Sequence, residues 1–544
     1  MNNHHNGGRR ALPGSLKVVT AGGMAAVVAA CTVKPDPMTS KEHAERVKAD
    51  RKALFGDVAP VDDPIGPYEA MARAIKYNLD HRLKLMKKAL ANRKLEVASF
   101  KMLPELTAEA GYSGRNKHDV TSSQNIFTGQ ETDADQTSSD RDTVTADMTL
   151  TWNILDFGVS YYGARQEANR ALTMQEQRRK TIHNLMKEVR SAYWKAAGAA
   201  RVKDQVARIL AEAEKALAQV RQAKAERLRN PVQALRLEKA LIETMRQMEG
   251  ILSDLEQAKP RLASLMGLPP GRDFALDVPE QAADGLDVPT IDRPISELER
   301  LSLHYRPELR EAAYKSRNSR LETRKALLRM LPGIELTAAG KYDSNSFALH
   351  NHWFETGAQV SWNLFNLIQG PARMDRAEAE KKVARTKRLA VSMAVLTQVN
   401  VAYEQFTTLK QDFRRARRLR DIERTIQEHV TNARQTEAKS RVDMVKTMAS
   451  ATRARLDMYR TYGKLQNAAG RIYASMGLDP LPDTMKSHDL EAVTRQVRKA
   501  VNNWEEGDFS WNVAEKRDTG DNKPEAATQP EQDGSPETTG GGTG

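Results

Sequence analysis

The stretch DMTLTWNILDFG, residues 147–158, alternates apolar and polar side chains along its length. The apolar set consists of Met148, Leu150, Trp152 and Ile154, and the polar set consists of Asp147, Thr149, Thr151 and Asn153. Side chains that alternate in this way point to opposite faces of a strand. An alternation that ends in an aromatic residue is typical of a strand between lipid and water. The stretch therefore predicts a membrane strand.

The composition of the chain indicates long, solvated helices and not a thick globular core. The 544 residues contain 6% aromatic and 28% charged side chains, which is the profile of helical rods. Length alone would allow about two to four ordinary domains. The net charge of +13 fits a nucleic-acid or anionic-lipid ligand, but basic helical surfaces are its commoner cause.

The N-terminus has the pattern of a secretory signal. A basic segment precedes the apolar run VVTAGGMAAVVAA, which is too short to span a bilayer. Cys31, the only cysteine, follows this run, and Val28-Ala29-Ala30-Cys31 resembles the bacterial lipobox, whose cysteine becomes lipidated. The residue after this cysteine is Thr32 and not Asp, which by analogy with bacterial lipoproteins favours the outer membrane over retention in the inner membrane. An ordinary signal peptide with an unrelated cysteine is the alternative.

Three sequence anchors recur with one spacing, which indicates that the chain contains two copies of one unit. The anchor pairs are TWNIL at 151–155 with SWNLF at 361–365, SAYWKA at 191–196 with VAYEQF at 401–406, and LASLMGLPP at 262–270 with YASMGLDP at 473–480. The same offset of 210 residues separates Trp152 from Trp362, Tyr193 from Tyr403, and Gly267 from Gly477. Upstream, LPELTAEAGY at 103–112 is similar to LPGIELTAAGKY at 331–342.

Each unit is predicted to contain a helix, two strands, a long helix and a return helix. The first unit has helix 66–102, strand 105–113, a polar loop at 114–142, strand 147–158, long helix 159–229 and return helix 232–266. The second has helix 296–330, strands 334–343 and 353–365, long helix 370–436 and return helix 442–476. A helix of about 70 residues would be roughly 100 Å long, which no globular core requires.

These elements predict the following organisation of the chain. The segments are a signal peptide at 1–30, a lipidated linker at 31–65, a first repeat at 66–267, a connector or equatorial segment at 268–295, a second repeat at 296–477, a C-terminal equatorial segment at 478–504 and a disordered tail at 505–544. No apolar run of eighteen residues occurs, so we expect any membrane crossing to be made by strands.

This duplicated order of strands and helices resembles the TolC-type outer-membrane efflux protein family. The motifs that carry the resemblance are LPELTAEAGY, TWNILDFG, LPGIELTAAGKY, SWNLF and the paired MGL endings, over about 66–480. It implies a mainly α fold in which each of three protomers gives four strands to a twelve-stranded membrane barrel, with long helices forming a helical barrel below. Four strands alone would leave two edges in lipid, whereas twelve can close around a lumen.

The resemblance also implies a function and a set of partners. The expected function is the passive exit duct of a tripartite efflux or type I secretion system. Docking of a periplasmic adaptor would open the duct, and a proton-driven or ATP-driven inner-membrane pump would feed it. The protein would form a homotrimer in contact with outer-membrane lipid and extend into the periplasm.

Strand alternation assigns the side chains of the duct. Residues expected to face lipid or its interface are Leu150, Trp152, Val360 and Trp362. Residues expected to face the water of the barrel lumen are Thr149, Thr151, Asn153, Gln359, Ser361 and Asn363. The loops at 114–142 and 344–352 would be extracellular.

The periplasmic gate is expected at the helical hairpin tips, near 225–236 and 434–446. The family's second tip often carries a V-D-V-L-like run, which matches Val442-Asp443-Met444-Val445 and makes Asp443 the candidate gate residue. Lys446 stands where a second acid is usual, and no glycine occurs around 438–440. Because a cation lies beside the anion, a strongly acidic mouth is not predicted. The alternative for Asp443 is a solvated carboxylate near a helix N-terminus.

Other motifs do not predict a catalytic or metal site. The basic run RRARRLR at 414–420 fits the solvated face of a coiled coil better than a nucleic-acid patch. His350 and His352 lack further ligands at metal spacing, and no nucleophile elbow, phosphate loop or HExxH motif occurs. We therefore expect no enzyme activity, no cofactor, no metal and no nucleic-acid partner. A tethered or soluble coiled-coil scaffold with basic faces is the rival function.

Overall fold

The fold is described from a computed structural model. It describes residues 35–122, 124, 126–131, 136–226, 231–277, 286, 288–436, 441–482, 487 and 489–509. The predicted signal peptide, Cys31 and residues 510–544 of the predicted tail lie outside the described residues. The chain divides into two compact units, one up to Val58 and one from Ala59. In the first unit, helix α1 (Ser40–Phe55) starts at a capping box formed by Thr39 and Glu42.

The second unit shows the same element order twice. The first copy contains α2 (Pro67–Tyr77), α3 (Leu79–Phe100), β1 (Glu105–Gly114), the short pair β2 (Val120–Thr121) and β3 (Gln136–Thr137), β4 (Asp142–Asn153), α4 (Ile154–Ala225) and α5 (Pro231–Leu265). The second copy contains α6 (Ile295–Tyr305), α7 (Pro307–Leu328), β5 (Gly333–Asp343), β6 (His352–Ser361), α8 (Leu364–Thr436) and α9 (Arg441–Ser475), and α10 (Leu490–Glu505) follows it. None of the described helices combines the length and apolarity needed to cross a bilayer.

The four long strands form one antiparallel sheet in the order β1-β4-β5-β6. The two repeats meet at the centre of this sheet, where Thr151 of β4 lies opposite Thr337 of β5. The helices next to the sheet follow the same order, because α3 packs on α4, α4 on α7 and α7 on α8. In the hairpin half the order is α5-α4-α9-α8.

The long helices α4 and α8 contain 72 and 73 residues and are therefore each about 110 Å long. The predicted coiled-coil seam of α4 is confirmed, since Ile182, Leu185, Val189, Ala192 and Ala196 are all buried. In α8, Ala402, Phe406, Phe413 and Ala416 are buried in the same spacing. A further apolar core near the hairpin end joins α4, α5 and α9 through side chains such as Ile209, Leu241 and Val445.

Two predicted strands end earlier than their alternation suggests. β4 stops at Asn153 and β6 at Ser361, so the prediction that Ile154, Trp362, Asn363 and Leu364 lie on strands is wrong. The cause is helix capping. The Asn153 side chain accepts a hydrogen bond from the Asp156 amide at 3.1 Å, and Asn363 accepts one from the Phe365 amide, also at 3.1 Å. Each asparagine thus starts a long helix where the alternation would continue a strand.

The first helix of each repeat is interrupted, which differs from the single helices predicted at 66–102 and 296–330. Asn78 separates α2 from α3 and Arg306 separates α6 from α7, and both adopt extended backbone conformations. The ends of α5 and α9 pack into these breaks. Gly267 and Gly477, both at φ +73°, lie against Tyr77 and against the Tyr305–Arg306 backbone, respectively. Only glycine fits such a left-handed position without strain.

Candidate functional site

The sheet has one apolar and one polar face, and each face continues across all four strands. Leu150 lies between Leu106 of β1 and Ala338 of β5, whereas Thr149 lies between Thr107 and Ala339. From Thr143 to Asn153 of β4, the apolar side chains are exposed and the polar side chains are half-buried, in strict alternation. The polar face is therefore the sheltered face of the sheet.

The polar face carries a strong negative charge within the described strands. Its ionisable side chains are Glu105, Glu109, Asp147, Glu335, Lys341, Asp343 and Glu355. Glu109 lies directly opposite Asp147, and Asp147 lies opposite Lys341. The Lys341 ammonium contacts the Glu355 carboxylate at 2.8 Å. Six carboxylates thus face a single ammonium group, so the face would attract cations.

The residues predicted to face lipid share one face of the sheet and those predicted to face the lumen share the other, except for Trp362 and Asn363. Leu150, Trp152 and Val360 share the apolar face. The predicted lumen residues on the polar face are Thr149, Thr151, Asn153, Gln359 and Ser361. Trp362 and Asn363 follow the end of β6, and the Trp362 indole Nε1 donates to the carbonyl oxygen of Met330 at 3.1 Å.

The two loops predicted to be extracellular are bound to each other. The Asn345 side-chain amide donates to the Ser138 carbonyl oxygen at 3.0 Å, and the Ser346 amide and hydroxyl donate to the Asp140 carboxylate at 2.5 and 2.9 Å. The two bonds from Ser346 lower the pKa of the Asp140 carboxyl below its ordinary value. The loops therefore fix the repeats to each other at this end of the sheet.

Both sides of the molecule end in unpaired edges. Among the described strands, β1 and β6 each pair with only one other strand. In the matching order of the helices next to the sheet, the outermost helices are α3 and α8. The side of α3 opposite its buried residues His81 and Ala91 carries an exposed apolar stripe, spaced by fours and threes like a coiled-coil seam. The stripe consists of Leu79, Leu83, Met86, Leu90 and Val97, each more than half exposed. Exposed apolar residues also run along α8, among them Val383, Met393, Val401, Leu419 and Ile426.

At the hairpin end, the two candidate gate residues share one helix face. Asp443 lies in the first turn of α9, and Asp443 and Lys446 are both exposed. Val442 and Val445, which flank these positions on α9, are buried in the hairpin core. The carboxylate also lies where the helix dipole favours negative charge. Residues 227–230 and 437–440 of the predicted tips lie outside the described part of the chain.

The remaining sequence motifs are positioned as follows. Arg414, Arg415 and Arg418 project from α8 into solvent, whereas Phe413 and Ala416 face the helical core. Within the described residues, no group of three or more His, Cys, Asp or Glu side chains could hold a metal ion.

A buried ionic cluster in the middle of the helical rod was not predicted from the sequence. The Arg179 guanidinium on α4 binds the carboxylates of Glu176 and Asp479, with an Nε–Oδ2 distance of 2.8 Å to Asp479. The His183 ring Nε2 lies 2.9 Å from Asp479 Oδ1. Arg179 Nη2 also donates to the carbonyl oxygen of Gly477 at 3.1 Å.

Electrostatics holds this cluster in its charged form. Burial opposes the charge of Arg179, but Asp479 and Glu176 outweigh it and raise the pKa of Arg179 above its ordinary value. The cluster joins α4 to the end of α9, residues that lie 300 positions apart. Arg179 belongs to no motif, and the sequence YASMGLDP that contains Asp479 does not indicate a partner 300 positions away, so no sequence signal could have revealed the cluster.

Comparison with known proteins identifies the family that has this architecture. The sequence profile of the outer membrane efflux protein family matches residues 82–268 and 298–478. The chain belongs to this family. The predicted family and the mainly helical fold with a small membrane sheet are thereby confirmed. The prediction of an outer-membrane efflux channel is also confirmed, and the rival scaffold is not favoured.

Solved structures of other outer membrane efflux proteins have the same fold. The Neisseria gonorrhoeae MtrE channel in its open state is 16% identical, with a TM-score of 0.58 over 76% of this chain and 88% of that chain. Campylobacter jejuni CmeC is 12% identical, with a TM-score of 0.58 over 80% and 89%. Vibrio cholerae VceC is 13% identical, with a TM-score of 0.55 over 75% and 95%. No curated protein sequence matches the chain.

Proposed function

We propose that three copies of this chain form one outer-membrane channel by pairing the free edge of β1 with the free edge of β6. The unpaired edges of the sheet carry this proposal, because lipid does not tolerate free backbone hydrogen-bonding groups. Pairing in a ring of three gives twelve strands, enough to surround an open lumen. The helices follow the same order as the strands, so the ring would also bring α3 of one copy against α8 of the next.

The exposed stripe on α3 provides the test of this assembly. Replacing Leu90 by glutamate puts a charge into the proposed helix interface, so we expect the purified protein in mild detergent to lose its trimer and migrate as a monomer. The measurement is light scattering coupled to size-exclusion chromatography. Lys87 is exposed and lies beside the stripe. Lys87→Glu changes the charge there by two units and should leave the trimer intact. A Leu90→Glu variant that remains trimeric would contradict the proposed packing.

We infer that the apolar face of the sheet, with Leu150, Trp152 and Val360, contacts lipid and that the polar face lines the lumen. This orientation removes the exposed apolar side chains from water. The lumen would then contain Thr149, Thr151, Asn153, Gln359 and Ser361 together with the carboxylates of the polar face. Trp362 and Asn363 would lie at the junction between the barrel and the helices.

The charge of the proposed lumen leads to a prediction about ion selectivity. Removing two carboxylates with Glu105→Gln and Glu109→Gln should reduce the preference for cations, measured as the reversal potential of single channels in a salt gradient. Asp443→Asn should change the reversal potential less, because Lys446 already offsets that carboxylate at the gate. If Asp443→Asn abolishes selectivity and the strand variant does not, the hairpin mouth and not the barrel determines it.

We propose that the hairpin end, including Asp443 and Lys446, is the gate that a periplasmic adaptor opens. The duct itself would be passive and would carry out no chemical reaction. The inner-membrane pump, proton-driven or ATP-driven, would supply the energy and select the cargo. Co-purification of the channel with a periplasmic adaptor protein from the same organism, and the loss of this co-purification on changes at the hairpin end, would test the docking site.

We further propose that Cys31 becomes the lipidated first residue of the mature protein and anchors it in the outer membrane. The support is the lipobox-like sequence at 28–31. The anchored protein would project its helices into the periplasm. Intact mass measurement of the mature protein tests the proposal, because a chain that starts elsewhere or lacks acyl groups would disprove it.

A further inference from the structure

Three cations from different elements lie near the junction where α7 begins and α9 ends, and the charges of both arginines act on the lysine. Lys187 belongs to α4, Arg306 separates α6 from α7, and Arg471 lies in the last turns of α9. The side-chain amide of Asn467 donates to the Lys187 carbonyl oxygen at 3.3 Å, which holds α9 against α4.

Helix α8 holds the two arginines on one side of this junction. Arg306 Nη2 donates to the Gln398 side-chain oxygen, and Arg471 Nη1 donates to the Gln405 side-chain oxygen at 2.8 Å. Gln398 and Gln405 are seven residues apart and therefore lie on the same helix face, about 10 Å from each other along the axis. Both arginines thus approach α8 from the same side.

One donor at this junction is buried without an acceptor. Arg306 donates through Nε to the Glu308 carboxylate at 3.0 Å and through Nη2 to Gln398, but its Nη1 is buried and has no hydrogen-bond partner among the described residues. The Arg306 side chain is only 11% exposed. A buried donor without an acceptor costs free energy, and the cost is larger when the donor is charged.

Positive charge at the junction exceeds the negative charge that faces it. Arg471 binds a neutral amide oxygen, and Lys187 Nζ contacts the neutral Asn184 oxygen at 3.4 Å. Burial, followed by the charge of Arg471, lowers the pKa of Lys187, and Arg306 adds to this while Glu188 opposes it.

The carboxylate that binds Arg306 is shared with another cation. Glu308 binds Arg306 and lies 3.4 Å from Lys180 Nζ, so it cannot neutralise the three cations of the junction. Glu188 is the carboxylate that acts on Lys187, and the two carboxylates Glu188 and Glu308 leave the three cations with an excess of positive charge.

We propose that the junction formed by Lys187, Arg306 and Arg471 binds a small free oxyanion of the phosphate or sulfate class. A tetrahedral oxyanion supplies the missing acceptor for Arg306 Nη1 and offers oxygens to the other two cations. The site forms within one chain and joins α4, α7 and α9. If the strands cross the outer membrane as proposed above, Lys187 lies about 50 Å along α4 from Ile154, out of reach of lipid headgroups.

The test is the thermal unfolding of the full-length protein in detergent, in phosphate, sulfate or chloride at equal ionic strength and pH. Phosphate or sulfate should raise the apparent Tm by about 2–4 °C relative to chloride. Micelles that contain phosphatidylglycerol should not reproduce the rise. Lys187→Met and Arg471→Gln should each lose most of it, whereas Lys239→Met, at an exposed position on α5, should keep it in full.

Two outcomes would overturn the proposal. Equal Tm values in phosphate, sulfate and chloride would show that water satisfies Arg306. A full rise in both Lys187→Met and Arg471→Gln would place the anion elsewhere. Isothermal titration of phosphate into the unmodified protein gives an answer even where a variant does not fold, since the absence of saturable binding also overturns the site.

Discussion

Gly477→Ala should destabilise the protein by about 3 kcal/mol or more and lower its apparent Tm by several degrees. The residue ends α9 in a Schellman motif, in which the Leu478 amide donates to the Tyr473 carbonyl oxygen. At φ +73°, alanine is strained, and its Cβ would lie 2.6 Å from the Tyr305 carbonyl oxygen and 2.9 Å from the Arg306 Cα. Backbone atoms cannot rotate away, so the break between α6 and α7 would have to shift.

A matched control separates backbone strain from the steric clash. Gly507 ends α10 in the same motif at φ +80°, but a Cβ there meets no atom within 4 Å. Gly507→Ala should therefore cost only the strain of the left-handed conformation, about 1 kcal/mol. Thermal unfolding followed by circular dichroism compares the two. Equal losses for Gly477→Ala and Gly507→Ala would show that the packing of Gly477 on the helix break contributes nothing.

Arg179→Met should also destabilise the protein strongly, by about 3–5 kcal/mol. Methionine fills a similar volume but leaves the Glu176 and Asp479 carboxylates buried near each other without their cation. It also removes the donor to the Gly477 carbonyl oxygen. The denaturation midpoint of the detergent-solubilised protein measures the loss. Lys239→Met, which breaks an exposed ion pair with Glu243 on α5, should leave the midpoint unchanged.

A double variant identifies the origin of this loss. If unpaired charge is the main cost, then Asp479→Asn in the Arg179→Met background should recover part of the stability, because one buried carboxylate disappears. If the two substitutions instead destabilise additively, then the cost comes from lost packing of Arg179, and the electrostatic explanation is wrong.

Local patterns predicted most of the architecture because each element carries its own periodicity. The strand faces around Leu150 and the seam around Val189 follow from spacing alone. The helix breaks also have local signals, because Asn78 is a strong N-cap residue and Arg306 precedes a proline, which disfavours helical backbone. The same capping chemistry at Asn153 explains why β4 ends before the apolar alternation does.

Pairings between distant segments could not be predicted in this way. Arg179 lies in the first repeat and Asp479 just after the second, and the equivalent positions, 210 residues away, hold Leu389 and Pro269. The unpaired Arg306 Nη1 likewise depends on how three helices meet. Such features depend on tertiary packing, which leaves no period in the sequence.

The central pairing of the sheet has a consequence for the order of folding. β4 and β5 belong to different repeats, and the Val144 amide donates to the Ser344 hydroxyl, 200 residues later in the chain. Contacts between such distant segments close slowly, whereas helical hairpins form from neighbouring residues. The hairpins α4–α5 and α8–α9 should therefore form before the two repeats pair with each other, so that closure of the sheet and insertion into the outer membrane come last.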